Sequence, residues 1–150
     1  MALMQRIADD LKAALLGGNR FVGETLRGLK AAILDEAIAK NKRDEGLSDE
    51  EIEKIIAREV KKRNESANIY TQAGRDDLAE SENQEADVLR AYLPTQLSEE
   101  EIKAVVNETV TATGAAGMQD MGKVIGSVKQ QLGNSADGAT VARMVKEALS

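Results

Sequence analysis

A single proline, Pro94, interrupts the 150 residues of this chain, and this near-absence of proline is its strongest constraint on fold. Much of the remaining sequence consists of alanine, leucine, glutamate and lysine, which are among the strongest helix formers. Apolar residues recur every three to four positions, a spacing typical of amphipathic helices. The sequence therefore predicts an all-α fold.

Pro94 also marks the predicted boundary between two domains. The residue before a proline is disfavoured in a helix, and a new helix start follows at Ser98. We predict an N-terminal domain of long helices over residues 1–93 and a C-terminal three-helix bundle over residues 94–150. A bundle of this size has a marginal core of its own.

The second predicted helix, over residues 22–43, has a wide apolar face. Five residues at helical spacing form its centre. They are Val22, Leu26, Leu29, Ile33 and Ala37. Leu34 and Ile38 are predicted to widen the same face.

Two nearly identical segments, residues 47–52 and 97–102, predict helix starts. In each, a serine is followed three residues later by a glutamate, which is the spacing of a capping box. The serines are Ser48 and Ser98, and aspartates predicted to cap further helices are Asp76, Asp120 and Asp137.

The chain contains no histidine, cysteine or tryptophan. Without the first two it lacks an imidazole base, a thiolate nucleophile and the usual zinc ligands. We therefore expect no catalytic residue, no metal site and no cofactor, and a protein that binds a partner. No apolar run is long enough to span a membrane, and no signal peptide is recognised. Together with the absence of cysteine, this leads us to predict a cytoplasmic location.

The formal net charge of −6 argues against binding a polyanion by bulk charge. Residues 1–93 contain 15 basic and 19 acidic side chains, and residues 94–150 contain 5 and 7. Neither domain is basic, so any contact with nucleic acid must use a local patch.

Two charged segments have both a functional and a structural interpretation. Four cations share one side of the third predicted helix and could follow phosphates, but carboxylates in the same sector favour a solvated face. These cations are Lys54, Arg58, Lys61 and Lys62. The acidic stretch after Gly74 lacks the spacing of a calcium loop, and we interpret it as a solvated face too.

The segment over residues 120–126 contains two glycines, Gly122 and Gly126, on one predicted helix. Each costs about 1 kcal/mol relative to alanine, so their use suggests that another backbone approaches closely. Lys123 lies in the first turn, where helix-end amides favour an anion. A phosphate site and a close contact between helices remain equal alternatives.

Five segments resemble the signature segments of the YqeY family, in the same order and with similar gaps. These segments are residues 26–27 with 29–33, then 73–78, 92–97, 120–126 and 136–138, and the chain departs from the family pattern at Gly23 and Gly28. The resemblance implies an all-helical protein similar to the tail of the B subunit of the tRNA-dependent amidotransferase. That tail helps to hold tRNA, and related domains are appended to some glutaminyl-tRNA synthetases.

The resemblance leads to the hypothesis of a tRNA-binding or amidotransferase-associated helical module without catalytic residues of its own. Carbon–nitrogen ligase activity, with glutamine as the amido-nitrogen donor, would be attached to this chain only by family association. The expected tRNA-binding residues are Lys123, Lys129, Arg143 and Lys146, with Gly122 and Gly126 permitting close approach of the RNA backbone. The alternative is a protein-interaction adaptor that docks on an aminoacyl-tRNA synthetase, an amidotransferase or itself. An enzyme that uses carboxylates or Lys123 is a third hypothesis.

Overall fold

The computed structural model describes residues 2–150, which form seven α-helices and no strand. The helices are α1 (Ala2–Leu16), α2 (Arg20–Ala39), α3 (Asp49–Gln72), α4 (Asp76–Arg90), α5 (Glu99–Thr113), α6 (Met121–Leu132) and α7 (Gly138–Leu149). Short 3-10 turns over Met118–Asp120 and Gly133–Ser135 precede and follow α6. The all-α prediction is confirmed. Among these helices, none is both long and apolar enough for a membrane span.

The chain divides into two compact units, Met1–Leu93 and Pro94–Ser150, each with its own hydrophobic core. In the first unit, α1 pairs with α2 and α3 pairs with α4, and α2 also packs against α3 and α4. Gly74, with a φ of 75°, reverses the chain between α3 and α4. Leu26, Leu29 and Ile56 lie completely buried at the centre of this core.

The second unit is a bundle in which each of α5, α6 and α7 packs against the other two. Its core is built mainly from valines, together with Ile102 and Met144. Val106, Val124, Val128 and Val145 are completely buried. The backbone N–H of Leu97 donates to the Ser135 carbonyl at 2.9 Å, which joins the start of the unit to the α6–α7 connection.

Tyr92, just after α4, attaches the end of that helix to α1. Its hydroxyl donates to the Asp10 carboxylate at 2.6 Å, and the Arg6 guanidinium lies 4.7 Å from the centre of its ring. Burial, and then the hydrogen bond to Asp10, raise the pKa of the Tyr92 hydroxyl above its usual range. Tyr92 is therefore part of the first core.

Three of the five predicted caps are confirmed. The Ser48 hydroxyl accepts from the Glu51 N–H at 3.2 Å, and the Glu51 carboxylate accepts from the Ser48 N–H at 2.9 Å, which completes a capping box. The Ser98 hydroxyl accepts from the Glu101 N–H at 3.1 Å, but the Glu101 carboxylate does not accept from the Ser98 N–H, so this second predicted capping box is incomplete. Asp137 accepts from the Thr140 N–H at 3.2 Å.

The other two predicted caps are wrong. Asp76 is the first residue of α4, and Arg75 holds the cap position without a side-chain hydrogen bond to the helix backbone. Asp120 precedes α6, but its carboxylate accepts instead from the Ala116 N–H at 3.0 Å. The 3-10 turn before α6 already provides a carbonyl for the Met121 N–H, so a side-chain cap is less needed there.

The boundaries and the apolar face of α2 also differ from the prediction. The helix ends at Ala39 because Asn41 takes a left-handed conformation with a φ of 57°. Leu34 and Ile38 do not widen the buried face, since they remain 47% and 51% exposed. The neighbouring helices cover the side of α2 that contains Leu26 and Leu29, and leave these two residues outside.

We expect Glu51→Gln to lower stability at pH 7 and to lose this effect in acid. The hydrogen bond from the Ser48 N–H, and next the hydrogen bond from Lys42, lower the pKa of Glu51 from 4.5 to about 2. Its stabilisation is therefore complete above pH 4.5, the unfolded value, and disappears as the pH falls towards 2. Urea unfolding between pH 7 and pH 2 measures the effect. A difference between wild type and variant that stays constant over this range would contradict it.

The matched control is Glu65→Gln on the same helix. Glu65 is exposed and makes no hydrogen bond or ion pair with the described residues. We expect its replacement to change the free energy of unfolding by less than about 0.5 kcal/mol at any of these pH values.

Candidate nucleic-acid interface

Helix α6 is strongly amphipathic and carries no acidic side chain, unlike the other six α-helices of residues 2–150. Val124 and Val128 point into the core of the second unit. The opposite side contains only glycine, glutamine and lysine. In a chain with a net charge of −6, this gives one helix surface a local positive charge.

Gly122 and Gly126 lie along the middle of that exposed side. At about 100° per residue, Gly122, Gly126 and Gln130 are flanked by Lys129 on one side and Lys123 on the other, over roughly 120° of the helix surface. We call these five residues the α6 glycine face. Gln130 was not among the residues predicted from the sequence, although the same spacing places it here.

No part of residues 2–150 packs against the two glycines of this face. A Cβ added at Gly122 or at Gly126 would meet no heavy atom within 4 Å outside its own stretch of helix. One alternative considered for the sequence, a close contact between helices, is therefore absent within the described chain. The folding of this chain does not require glycine at either position, although glycine weakens the helix.

The two lysines of the face are available to bind an anion. Both are exposed, and neither forms an ion pair with the described residues. The Lys129 side chain extends over Gly138 at the start of α7, where its ammonium lies 3.4 Å from the position of an added Cβ. Lys129 is also in the last turn of α6, where a cation is favoured by the helix dipole.

The two predicted cations of α7 differ from each other. Arg143 donates to Glu99 of α5 at 2.7 Å and to Glu147 at 3.4 Å, so two carboxylates already neutralise it. Lys146 is exposed in the last turn of α7 and forms no ion pair with residues 2–150. The Ser150 hydroxyl lies 4.0 Å from the Met118 sulfur, which places the end of α7 beside the start of α6.

The basic stripe on α3 is largely neutralised within the chain. Lys54 lies 3.6 Å from Glu50, Arg58 lies 3.8 Å from Glu36, and Lys62 lies 3.9 Å from Glu59. Such pairs contribute a few tenths of a kcal/mol each. These contacts support the interpretation of the stripe as a solvated face.

Three of the six acidic side chains of α4 are paired in the same way. Asp77 lies 3.3 Å from Arg75, and Asp87 lies 2.6 Å from Arg90. Glu85 lies 3.8 Å from the half-buried Arg63. Across residues 2–150, no group of three acidic side chains is arranged to hold a metal ion.

The chain belongs to the YqeY family. A sequence model of this family, described as Yqey-like protein, matches residues 4–149 and so covers both units. This confirms the family predicted from the signature segments.

Three fungal relatives carry the name "Altered inheritance of mitochondria protein 41, mitochondrial". The protein of Clavispora lusitaniae is 34% identical over 105 residues, which are 68% of this chain and 59% of that protein. The protein of Pyrenophora tritici-repentis is 27% identical over 149 residues, 97% of this chain and 80% of that protein. The protein of Eremothecium gossypii is 32% identical over 100 residues, 65% and 54% of the two lengths. The first and third matches therefore span little more than half of each relative.

The predicted cytoplasmic location is wrong, because the three relatives are mitochondrial by name. The prediction depended on the absence of cysteine, of a signal peptide and of a membrane span. A protein inside mitochondria can share all of these features, so they do not distinguish the two compartments.

Proposed function

We propose that this chain is a tRNA-binding helical module that contacts the RNA backbone through the α6 glycine face and works in association with an amidotransferase or a synthetase. The observation that carries the proposal is the pair of exposed glycines between two unpaired lysines on the only α-helix of residues 2–150 without a carboxylate. The family resemblance to a tail that holds tRNA supports the choice of ligand.

The shape of the face suits a ribose–phosphate backbone. Without a side chain at Gly122 or Gly126, a phosphate can come close to the helix backbone, while Lys123 and Lys129 reach it from the two edges. Gln130 adds a hydrogen-bond donor that can bind a phosphate or a 2′-hydroxyl.

Recognition of base sequence is not expected from this face. Phe21, Tyr70 and Tyr92 are the only aromatic residues, and all three lie in the first unit. The second unit therefore has no aromatic surface on which unpaired bases could stack. Binding then depends on the shape of the folded RNA and on its phosphates.

A titration of the full chain with total tRNA at several salt concentrations tests this proposal. Three unpaired cations, Lys123, Lys129 and Lys146, predict weak affinity whose logarithm falls with the logarithm of salt with a slope of about −2 to −3. Arg143 would make the salt dependence steeper only if it broke its ion pair with Glu99 to bind a phosphate. Absence of binding at low salt would contradict the proposal.

The adaptor hypothesis uses the same exposed glycines for the approach of a protein helix. It predicts binding to a synthetase, to an amidotransferase or to a second copy of the chain that persists at high salt. Reversing the charge of Lys123 and Lys129 would leave such a complex in place, whereas a bulky residue at Gly126 would prevent it. A pull-down with the charge-reversed chain therefore distinguishes the two functions.

A further inference from the structure

The first unit, which does not contain α6, has an apolar groove to which no function has been assigned. It lies beside α2 and has a volume of about 320 Å³. We call it the α2 groove. Its apolar lining consists of Met4, Ala31, Ile33, Leu34, Ala37 and Leu47, and Gly46, Lys30 and Arg43 complete its wall.

The groove continues onto an apolar stripe at the surface. Leu34 and Ile38 are spaced by one helical turn and are 47% and 51% exposed. From Lys30 to Ile38 the groove and stripe extend for about 12 Å, which is two helical turns. The sequence pattern places Leu34 and Ile38 on the apolar face of α2. In the structure they lie at the edge of the core and remain exposed to solvent.

Lys30 and Arg43 are the charged residues that line the groove, whereas Asp44 and Glu45 lie with Arg43 beside Ile38, at the end of the stripe. Lys30 and Arg43 form no ion pair with residues 2–150, and no acidic residue lines the groove. The neighbouring lysines behave differently, since Lys40 and Lys42 lie 3.6 and 2.9 Å from Glu51. In a chain with a net charge of −6, two unpaired cations beside an exposed apolar surface favour an acidic occupant.

The half-exposed stripe distinguishes between a small ligand and a helix. A small molecule is normally buried over 70–90% of its surface, and residues as open as Leu34 and Ile38 cover only one side of an occupant. An amphipathic helix needs only one side covered, because its other side is polar. We propose that the α2 groove docks an acidic amphipathic helix of a partner protein, with apolar anchors one turn apart and carboxylates facing Lys30 and Arg43.

A panel of fluorescent, helix-stabilised peptides of about 14 residues tests this inference with the full chain. The panel carries leucine anchors at spacings of three, four and seven residues, with glutamates on the flank, and each peptide has a twin with lysines instead. We expect at least one acidic peptide to bind about tenfold or more tightly than its basic twin in fluorescence anisotropy at low salt. The preference should narrow as salt increases.

Ala31→Trp fills the groove from its exposed rim, and Ala39→Trp places the same side chain on an exposed position of α2 outside it. We expect Ala31→Trp to lower the affinity for the acidic peptide at least tenfold. Ala39→Trp should leave this affinity within twofold of the wild-type value. Lys30→Glu with Arg43→Glu should remove the preference for acidic peptides, whereas Lys61→Glu should not.

Circular dichroism of each variant shows that the helices are retained. The inference is overturned if no acidic peptide binds, if the basic twins bind equally well, or if Ala31→Trp has no more effect than Ala39→Trp. Binding of decanoate that Ala31→Trp abolishes, with no acidic peptide bound by the wild type, would also overturn it, because the groove would then be a site for small amphiphiles.

Discussion

Gly126→Leu is expected to weaken tRNA binding by at least tenfold while making the second unit more stable. No heavy atom lies within 4 Å of a Cβ added at this position, so the chain itself can accept a side chain there. Leucine is a much better helix former than glycine, which gives a gain of about 0.5–1 kcal/mol. A side chain in the middle of the α6 glycine face would keep the RNA backbone away from the helix.

Opposite changes in affinity and stability are the useful feature of this variant. Most substitutions that damage binding also destabilise the fold, so loss of binding alone has two explanations. Urea unfolding and tRNA titration of the same preparation separate them. Gly28→Leu is the matched control, because Gly28 is an exposed glycine of α2 with the same open surroundings. Retention of full tRNA affinity by Gly126→Leu would remove the glycine face from the interface.

Val128→Asp is expected to unfold residues 94–150 and to leave residues 1–93 folded. Val128 is completely buried in the second core, and an unpaired carboxylate there costs several kcal/mol. At roughly 0.05–0.15 kcal/mol per residue, a unit of this length has on the order of 3–9 kcal/mol of stability. The first core contains no residue beyond Tyr92 and Leu93, so its packing is untouched.

Two-dimensional ¹H–¹⁵N NMR of the full chain checks this result residue by residue. Signals from the second unit should collapse to random-coil positions, while those of the first unit keep their dispersion. Ala104→Asp, on the exposed side of α5, is the control and should leave all signals dispersed. Loss of both units together in Val128→Asp would show that they fold as one.

The fold was largely predictable because its main signals are local in sequence. Ser48 with Glu51 forms the capping box that their spacing predicts, and Gly74, with its positive φ, directly follows the end of α3. Local spacing failed where a neighbouring segment supplied the partner instead. Asp120 bonds to Ala116 and not to α6, a choice that depends on the 3-10 turn before the helix.

The candidate site was predictable only in part, for a related reason. Lys123, Lys129 and the two glycines lie on one helix, so their common face follows from helical periodicity alone. The pairing of Arg143 with Glu99 joins residues 44 positions apart and depends on how α7 packs against α5. The exposure of Leu34 likewise depends on which side of α2 its neighbours cover, which periodicity does not specify.

The most direct test of the central claim is the tRNA titration repeated with Lys123→Glu/Lys129→Glu. The control carries the same reversal of charge at Lys61 and Lys103, two exposed lysines outside the α6 glycine face that form no ion pair with residues 2–150. We expect the α6 variant to lose tRNA binding at low salt. The affinity of the control, which has the identical net charge, should fall only a few-fold. Equal affinities for the two variants would contradict the claim that α6 holds the RNA.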